Sequence, residues 1–256
     1  MKSVFYFILS TVGSVPIAAF TMDAAAGSRQ SIHRPQRTTT VGTTVSAAAG
    51  ASENPQELFA MEGWEAIQKD LDRVPIFTVA TPEGNPLAYQ VNIKSDQYIV
   101  PFFYCDVGDA LKELEGARNN PTLEGLDVVP FPLGKAFQLW CKDEAVIVPS
   151  KQAILQAGAP PGTNPVGQQV PMFTCLEIME ETEDGKGRLP LFMSLDDANE
   201  AVKAAVSTDG GNADEMDVVC LSLSGAVEQL ATIPETPGFH FIPPSRSMEY
   251  ISEYLS

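Results

Sequence analysis

Residues 126–140 read LDVVPFPLGKAFQLW, and residues 216–230 read MDVVCLSLSGAVEQL. The two stretches correspond without a gap. Leu133, Ala136, Phe137 and Trp140 in the first answer Leu223, Ala226, Val227 and Leu230 in the second. In each, a short Val-Val strand runs into a segment whose apolar residues recur at helical spacing. Further echoes lie on both sides, in the same order. Upstream, VPIFTV (74–79) matches VPMFTC (170–175), and YIVPFFYC (98–105) matches GRLPLFMS (187–194) with Pro101-Phe102-Phe103 set against Pro190-Leu191-Phe192. Downstream, AVIVPS followed by KQAILQ is answered by FHFIPPS followed by RSMEYISEYL, with Pro149 opposite Pro243. So many echoes in one order exceed coincidence and indicate a duplicated unit.

The unit reads as hairpin, strand, helix, strand, helix, strand, helix. ATPEGNPLAYQV (80–91) places two apolar runs around Pro82-Glu83-Gly84-Asn85, and the counterpart carries the turn signal Glu183-Asp184-Gly185-Lys186-Gly187. Asp106 is placed to cap a helix whose apolar face is Val107, Ala110, Leu111 and Leu114. Ser194 caps its counterpart, faced by Leu195, Ala198, Val202, Ala205 and Val206. ENPQELFAMEGWEAIQKDLDR (53–73) predicts a preceding helix with Leu58, Met61, Trp64, Ile67 and Leu71 inward. The expected fold class is α/β, layered in the α+β manner. Two tandem β-β-β-α-β-α-β-α repeats, 74–157 and 170–255, are joined by a linker at 158–169. Halves of about 85 residues are small for separate cores. The expectation is therefore one two-lobed domain, 51–256, with its repeats related by a pseudo-twofold axis.

The first fifty residues differ in composition. Residues 1–19 have a short basic start, an apolar run from Val4 to Val15 and small residues near Ala18-Ala19, the pattern of a signal peptide. Residues 20–50 hold Arg29, Arg34 and Arg37, abundant Ser and Thr, and one acid, Asp23, as transit peptides do. The plain alternative is a disordered pro-segment. Residues 51–256 keep 12 basic and 32 acidic side chains, a formal charge of −20. Such a surface repels nucleic acid and attracts basic partners, although solubility alone would account for it. Cys105, Cys141, Cys175 and Cys220 lie far apart, without metal or redox spacing, and no obligatory disulfide is expected. No later segment is apolar for long enough to span a membrane as a helix.

VPIFTV, EGNPLA, DVVPFPLGKAFQLW, VIVPS, QQVPMFT and RLPLFMSLDDA together resemble the soluble 22-kDa subunit family of the chloroplast inner-envelope translocon, the Tic 22-kDa-like proteins. The resemblance covers nearly all of residues 72–251. It implies a two-lobed fold with internal pseudo-twofold symmetry, apolar pockets on its flanks, and chaperone-like escort of preproteins with basic transit peptides. It also implies partnership with envelope translocon subunits. The acidic stretch EIMEETEDG (177–185) and the Pro/Gly linker depart from the family pattern. The bipartite leader, with Phe20 after the cut, resembles those of algae with complex plastids. It implies a plastid of secondary origin, within an intermembrane space.

Residues suited to catalysis are sparse. His240 is the single histidine after residue 50, and it lies in an apolar strand where a structural or surface role is the usual one. G-x-S-x-G, P-loop and G-x-G-x-x-G signatures are absent from the sequence. Asp127 and Asp217 each precede a Val-Val strand and read as turn residues. Glu180, Glu181, Glu183 and Asp184 read as a solvated hairpin tip. The expectation is a non-enzymatic protein without cofactor or metal. Phe77, Phe102, Phe103, Phe131, Phe173 and Phe192 are the candidate apolar peptide-binding residues, with membership of the core as the ordinary alternative for each. A structural adaptor bridging translocons and a plastid enzyme with an inter-lobe site are the competing functions.

Overall fold

The computed structural model describes residues 55–93, 96–120, 123–181, 187–209, 216–232 and 238–254. The leader segments 1–19 and 20–50, together with Glu183 and Asp184, lie outside the described residues. The chain begins with α1 (Pro55–Ala60) and α2 (Trp64–Leu71). Its first half continues with β1 (Pro75–Ala80), β2 (Ala88–Ile93), β3 (Asp96–Tyr104), α3 (Val107–Arg118), β4 (Asp127–Pro132), α4 (Leu133–Cys141), β5 (Val146–Val148) and α5 (Lys151–Gln156). The second half holds β6 (Pro171–Cys175), β7 (Glu180–Glu181), β8 (Gly187–Phe192), α6 (Leu195–Asp209), β9 (Val218–Ser222), α7 (Leu223–Ala231), β10 (Gly238–Ile242) and α8 (Ser245–Tyr254).

Each half builds one sheet, and the pairings coincide strand for strand. β1 lies antiparallel between β3 and β4, β2 pairs antiparallel with β3, and β5 runs parallel to β3. In the second sheet β6 lies antiparallel between β8 and β9, β7 pairs antiparallel with β8, and β10 runs parallel to β8. Even single bonds match. The Leu133 amide donates to the Val74 carbonyl at 2.9 Å, and the Leu223 amide to the Val170 carbonyl at 2.8 Å. Cys105 donates to Val148 at 2.9 Å, and Met193 to Ile242 at 3.0 Å.

Those bonds correct the alignment of β3 with β8. The lettered match sets Phe103 against Phe192, yet Tyr104 is the residue opposite both Phe77 and Val148, and Phe192 is the one opposite Phe173 and Ile242. Phe192 therefore corresponds to Tyr104, one residue along. A slip of one residue moves a side chain to the other face of its sheet. The capping residues keep the true register: Asp106 accepts from the Gly108 amide at 2.7 Å, and Ser194 accepts from the Asp197 amide at 3.3 Å.

Two other expectations are revised. The loop after β1 closes with a single bridge, Ala80 to Pro86, and the chain then crosses to pair β2 with β3 rather than with β1. Segment 53–73 breaks into two helices, and Gly63 stands at the break. A Cβ there would lie 3.0 Å from the Ala231 carbonyl oxygen, so the chain passes against the end of α7. Leu58, Trp64, Ile67 and Leu71 are buried as expected, whereas Leu111 of α3 is exposed at the rim of the stripe formed by Val107, Ala110, Leu114 and Ala117.

The inner faces of both sheets meet one apolar core. Ile76, Phe103 and Ile147 come from the first sheet, and Met172, Leu191 and Phe241 from the second. α1, α2, α4 and α7 fill the space with Leu58, Trp64, Phe137 and Val227 among others. The outer faces carry α3 and α6, each over a smaller cluster. The short terminal helices cross over. α5, from the first half, packs Ala153 against Phe173, Phe192 and Ala198 of the second. α8, from the second half, sets the Tyr250 ring edge-on to Phe77 at 5.8 Å and lies beside α3. Each half is thus completed by a helix of the other.

Close approach also fixes the start of α4. Its N-cap residue, Pro132, supplies no side-chain bond, and the Asp72 carboxylate, just beyond α2, stands against the first turn of the helix. Burial raises the Asp72 carboxyl above its ordinary range, with Lys135 opposing the shift. A Cβ on Gly134 would stand 2.6 Å from Asp72 Oδ1 and 2.9 Å from the Gln68 carbonyl oxygen. Gly134→Ala is expected to destabilise by about 1–3 kcal/mol through overpacking. Gly116→Ala, on a helix position with nothing within 4 Å, is expected to be neutral or stabilising by up to about 1 kcal/mol. Urea midpoints of the two variants check the contrast.

Candidate functional site

Consecutive strand residues face opposite sides, so Phe102 and Phe103 point apart. A peptide groove was expected to take one such ring, but both sides of the sheet are covered. Phe103, 1% exposed, faces the shared core, and Phe102, 4% exposed, stacks on Tyr89 at 4.5 Å beneath α3. Phe77, Phe173 and Phe192 are buried in the clusters under α3 and α6. Phe131 is half-buried, with its ring 4.6 Å from Phe103. In this conformation five of the six expected peptide-binding rings are interior residues, and none of those five reaches a surface groove. The covering helices are the physical reason.

A cleft of about 360 Å³ lies where α3, α5, α6 and α8 begin. Three of its carboxylates tie helix ends together, two of them across the halves. Asp106 accepts from the Gly108 and Asp109 amides and from Arg246, whose Nε stands at 2.6 Å and whose Nη2 makes a second bond. Asp197 accepts from the Ser245 amide at 2.9 Å and its hydroxyl at 3.0 Å. Asp196 accepts from Gln152 at 2.7 Å and Gln156 at 3.1 Å, the crossing side chains of α5. These contacts satisfy helix ends and clamp α5 and α8 across the molecule. They do not set an acid against a base at hydrogen-bond distance with space for a substrate between them.

His240 is exposed on β10, its Nδ1 2.6 Å from Glu180 Oε2 on β7, a surface pair between two strands that both neighbour β8. Among the described residues no group of three His, Cys, Asp or Glu has the arrangement of a metal site. No helix among them is long and apolar enough to cross a membrane. The four thiols are free. Burial pushes the Cys105 thiol far above its ordinary value, and Asp109 adds to the shift. Burial also raises Cys220 and Cys175, and the latter donates to Glu177 Oε2 at 3.1 Å. Raised thiols are weak nucleophiles at neutral pH. In the native protein Cys105 and Cys141 are expected to resist a thiol reagent at pH 8, with Cys220 reacting slowly and all four at once in denaturant. Quantitative thiol titration checks this.

Exposed apolar side chains lie elsewhere, among them Ile99 on β3, 50% exposed, and a group beside β9. Leu176 is 62% exposed, Met179 45% and Val219 41%, all in the second half on the β6–β7 connection and on β9. β9 is the outermost strand of its sheet, as β4 is of the other. Sequence reading passed over this edge, although a signal was in the gapless pair of stretches. Where β4 has Pro130 and Pro132, β9 has Cys220 and Ser222.

No protein-family model matches the sequence, and no curated protein sequence matches it. Solved structures that share the fold include the following two. Tic22 from Plasmodium falciparum superposes with a TM-score of 0.60 at 19% identity, over 74% of this chain and 97% of that one. Anabaena Tic22, a protein described as acting in protein transport, superposes with a TM-score of 0.56 at 21% identity, over 75% of this chain and 98% of that one.

Proposed function

We propose that the chain, like the Anabaena protein whose fold it shares, serves protein transport. It acts as a non-enzymatic component of plastid protein import that holds preproteins in an extended state as they cross a space between membranes. The observation that carries this reading is the extent of the match: the chain spans almost the whole of both solved structures, one of which is described as acting in protein transport. The formal charge of −20 over residues 51–256 supports basic transit peptides as cargo, since long-range attraction raises the encounter rate. Apolar side chains would then hold the cargo briefly, with a dissociation constant on the order of micromolar. The exposed Leu176, Met179 and Val219 take the role expected of the buried rings. Translocon subunits of the envelope are the fixed partners, and the leader at 1–50 directs the chain to a plastid of secondary origin.

The test is crosslinking inside plastids with a photoreactive group at Leu176 or Val219 while a preprotein is arrested in transit. Adducts with the arrested preprotein are expected. Adducts with translocon subunits alone would favour the adaptor role, and loss of adducts to preprotein at every exposed apolar position would contradict the reading.

A further inference from the structure

The two sheets end in edge strands of the same register, but only one edge is closed. Leu133 and Leu223 direct their amides inward to Val74 and Val170. Antiparallel pairing alternates, so on β4 the amides of Val129 and Phe131 also point inward, and positions 128, 130 and 132 face outward. That outward row is blocked. Val128 donates to its neighbour Asp127 Oδ1 at 2.8 Å, Pro130 and Pro132 have no amide hydrogen, and the Val128 carbonyl accepts from the Tyr250 hydroxyl at 3.4 Å. These are the devices by which natural sheets discourage edge pairing.

On β9 the outward positions are Val218, Cys220 and Ser222. Ser222 caps α7, its hydroxyl accepting from the Gly225 amide at 3.1 Å. The Val218 and Cys220 amides point away from β6 and have no partner among the described residues. Val219, between them, is exposed, and Leu176 follows Cys175, the residue opposite Val218. The sequence leading into the strand, Asp214-Glu215-Met216-Asp217, is acidic.

We infer that β9 is a docking edge that takes an extended, cationic segment of another polypeptide as an added strand. Main-chain bonds to Val218 and Cys220 would supply affinity that does not depend on cargo sequence, and the apolar side chains beside them would take alternate residues. Charge selects the occupant. A second copy would bring another −20 against the same edge, whereas a segment with alternating basic and apolar residues is attracted to it. This deepens the import reading by naming the surface and the conformation in which cargo is held.

The test uses residues 51–256 and a short fluorescent peptide of alternating valine and lysine, with its D-enantiomer as a control of identical charge and apolarity. Binding of the L-peptide is expected to slow hydrogen exchange at Val218 and Cys220 by roughly tenfold or more. It should exceed that of the D-peptide, which cannot complete the same ladder. Cys220→Pro reproduces the residue that β4 carries at this position and should weaken L-peptide binding roughly tenfold. Should that variant fail to fold, exchange and enantiomer preference in the unaltered protein still decide. Equal binding of the two enantiomers, or protection elsewhere with none on β9, overturns the edge while leaving import intact. No binding at all overturns both. Concentration-dependent protection of β9 without peptide overturns the choice of occupant and gives the edge to a second copy.

Discussion

Phe137→Ala is expected to lower stability by about 3–5 kcal/mol, a large part of the roughly 5–15 kcal/mol that holds a domain together. The ring is fully buried on α4, 6.0 Å from Trp64 on α2 and 5.7 Å from Trp140. It belongs to the cluster that joins the inner faces of both sheets, so its loss should weaken both halves equally. Urea unfolding followed by tryptophan fluorescence reads the shift directly, because Trp64 and Trp140 flank the cavity. A loss below about 1 kcal/mol would mean that the site collapses freely around the missing ring.

Asp106→Ala is expected to cost about 2–4 kcal/mol, the sum of two losses. Removing an N-cap carboxylate from α3 costs about 1–2 kcal/mol. Stranding Arg246 adds less than the 3–5 kcal/mol of a fully buried pair, because the arginine side chain is half exposed to water. Asp106→Asn retains a capping oxygen and should recover the first part only. The Asp106→Ala, Arg246→Met cycle isolates the coupling across the lobes, and thermal unfolding measures each corner. Because Arg246 is on α8 and Asp106 caps α3, a coupling near zero would show that α8 is held by its other contacts, among them Tyr250 against Phe77 and Ser245 on Asp197.

The order of elements was legible because each strand and helix carries its own periodicity, and because β4–α4 and β9–α7 are written twice without a gap. The register of β3 against β8 was not, since two prolines followed by apolar letters align equally well one residue apart. Only the caps, Asp106 and Ser194, mark the true offset. The crossing of α5 and α8 has no local signature at all: Ala153 and Tyr250 read as ordinary helix-face residues, and nothing in six or ten residues states which sheet they will cover. For the same reason the burial of the phenylalanines on both faces was not legible. A strand reads as having one wet face, and the second covering layer comes from elements distant in sequence. The open edge of β9 was visible in Cys220 and Ser222 against Pro130 and Pro132, but its meaning depends on which strand is outermost.

The two halves share one core and exchange their terminal helices, so that neither is expected to open alone. Native-state hydrogen exchange across increasing guanidinium tests this most directly, with the amides of β1 and β3 compared to those of β6 and β8. One common opening free energy and one common denaturant dependence for both sheets is the expected result. A second sheet that exchanges through a separate opening of lower free energy, while the first stays protected, would contradict it.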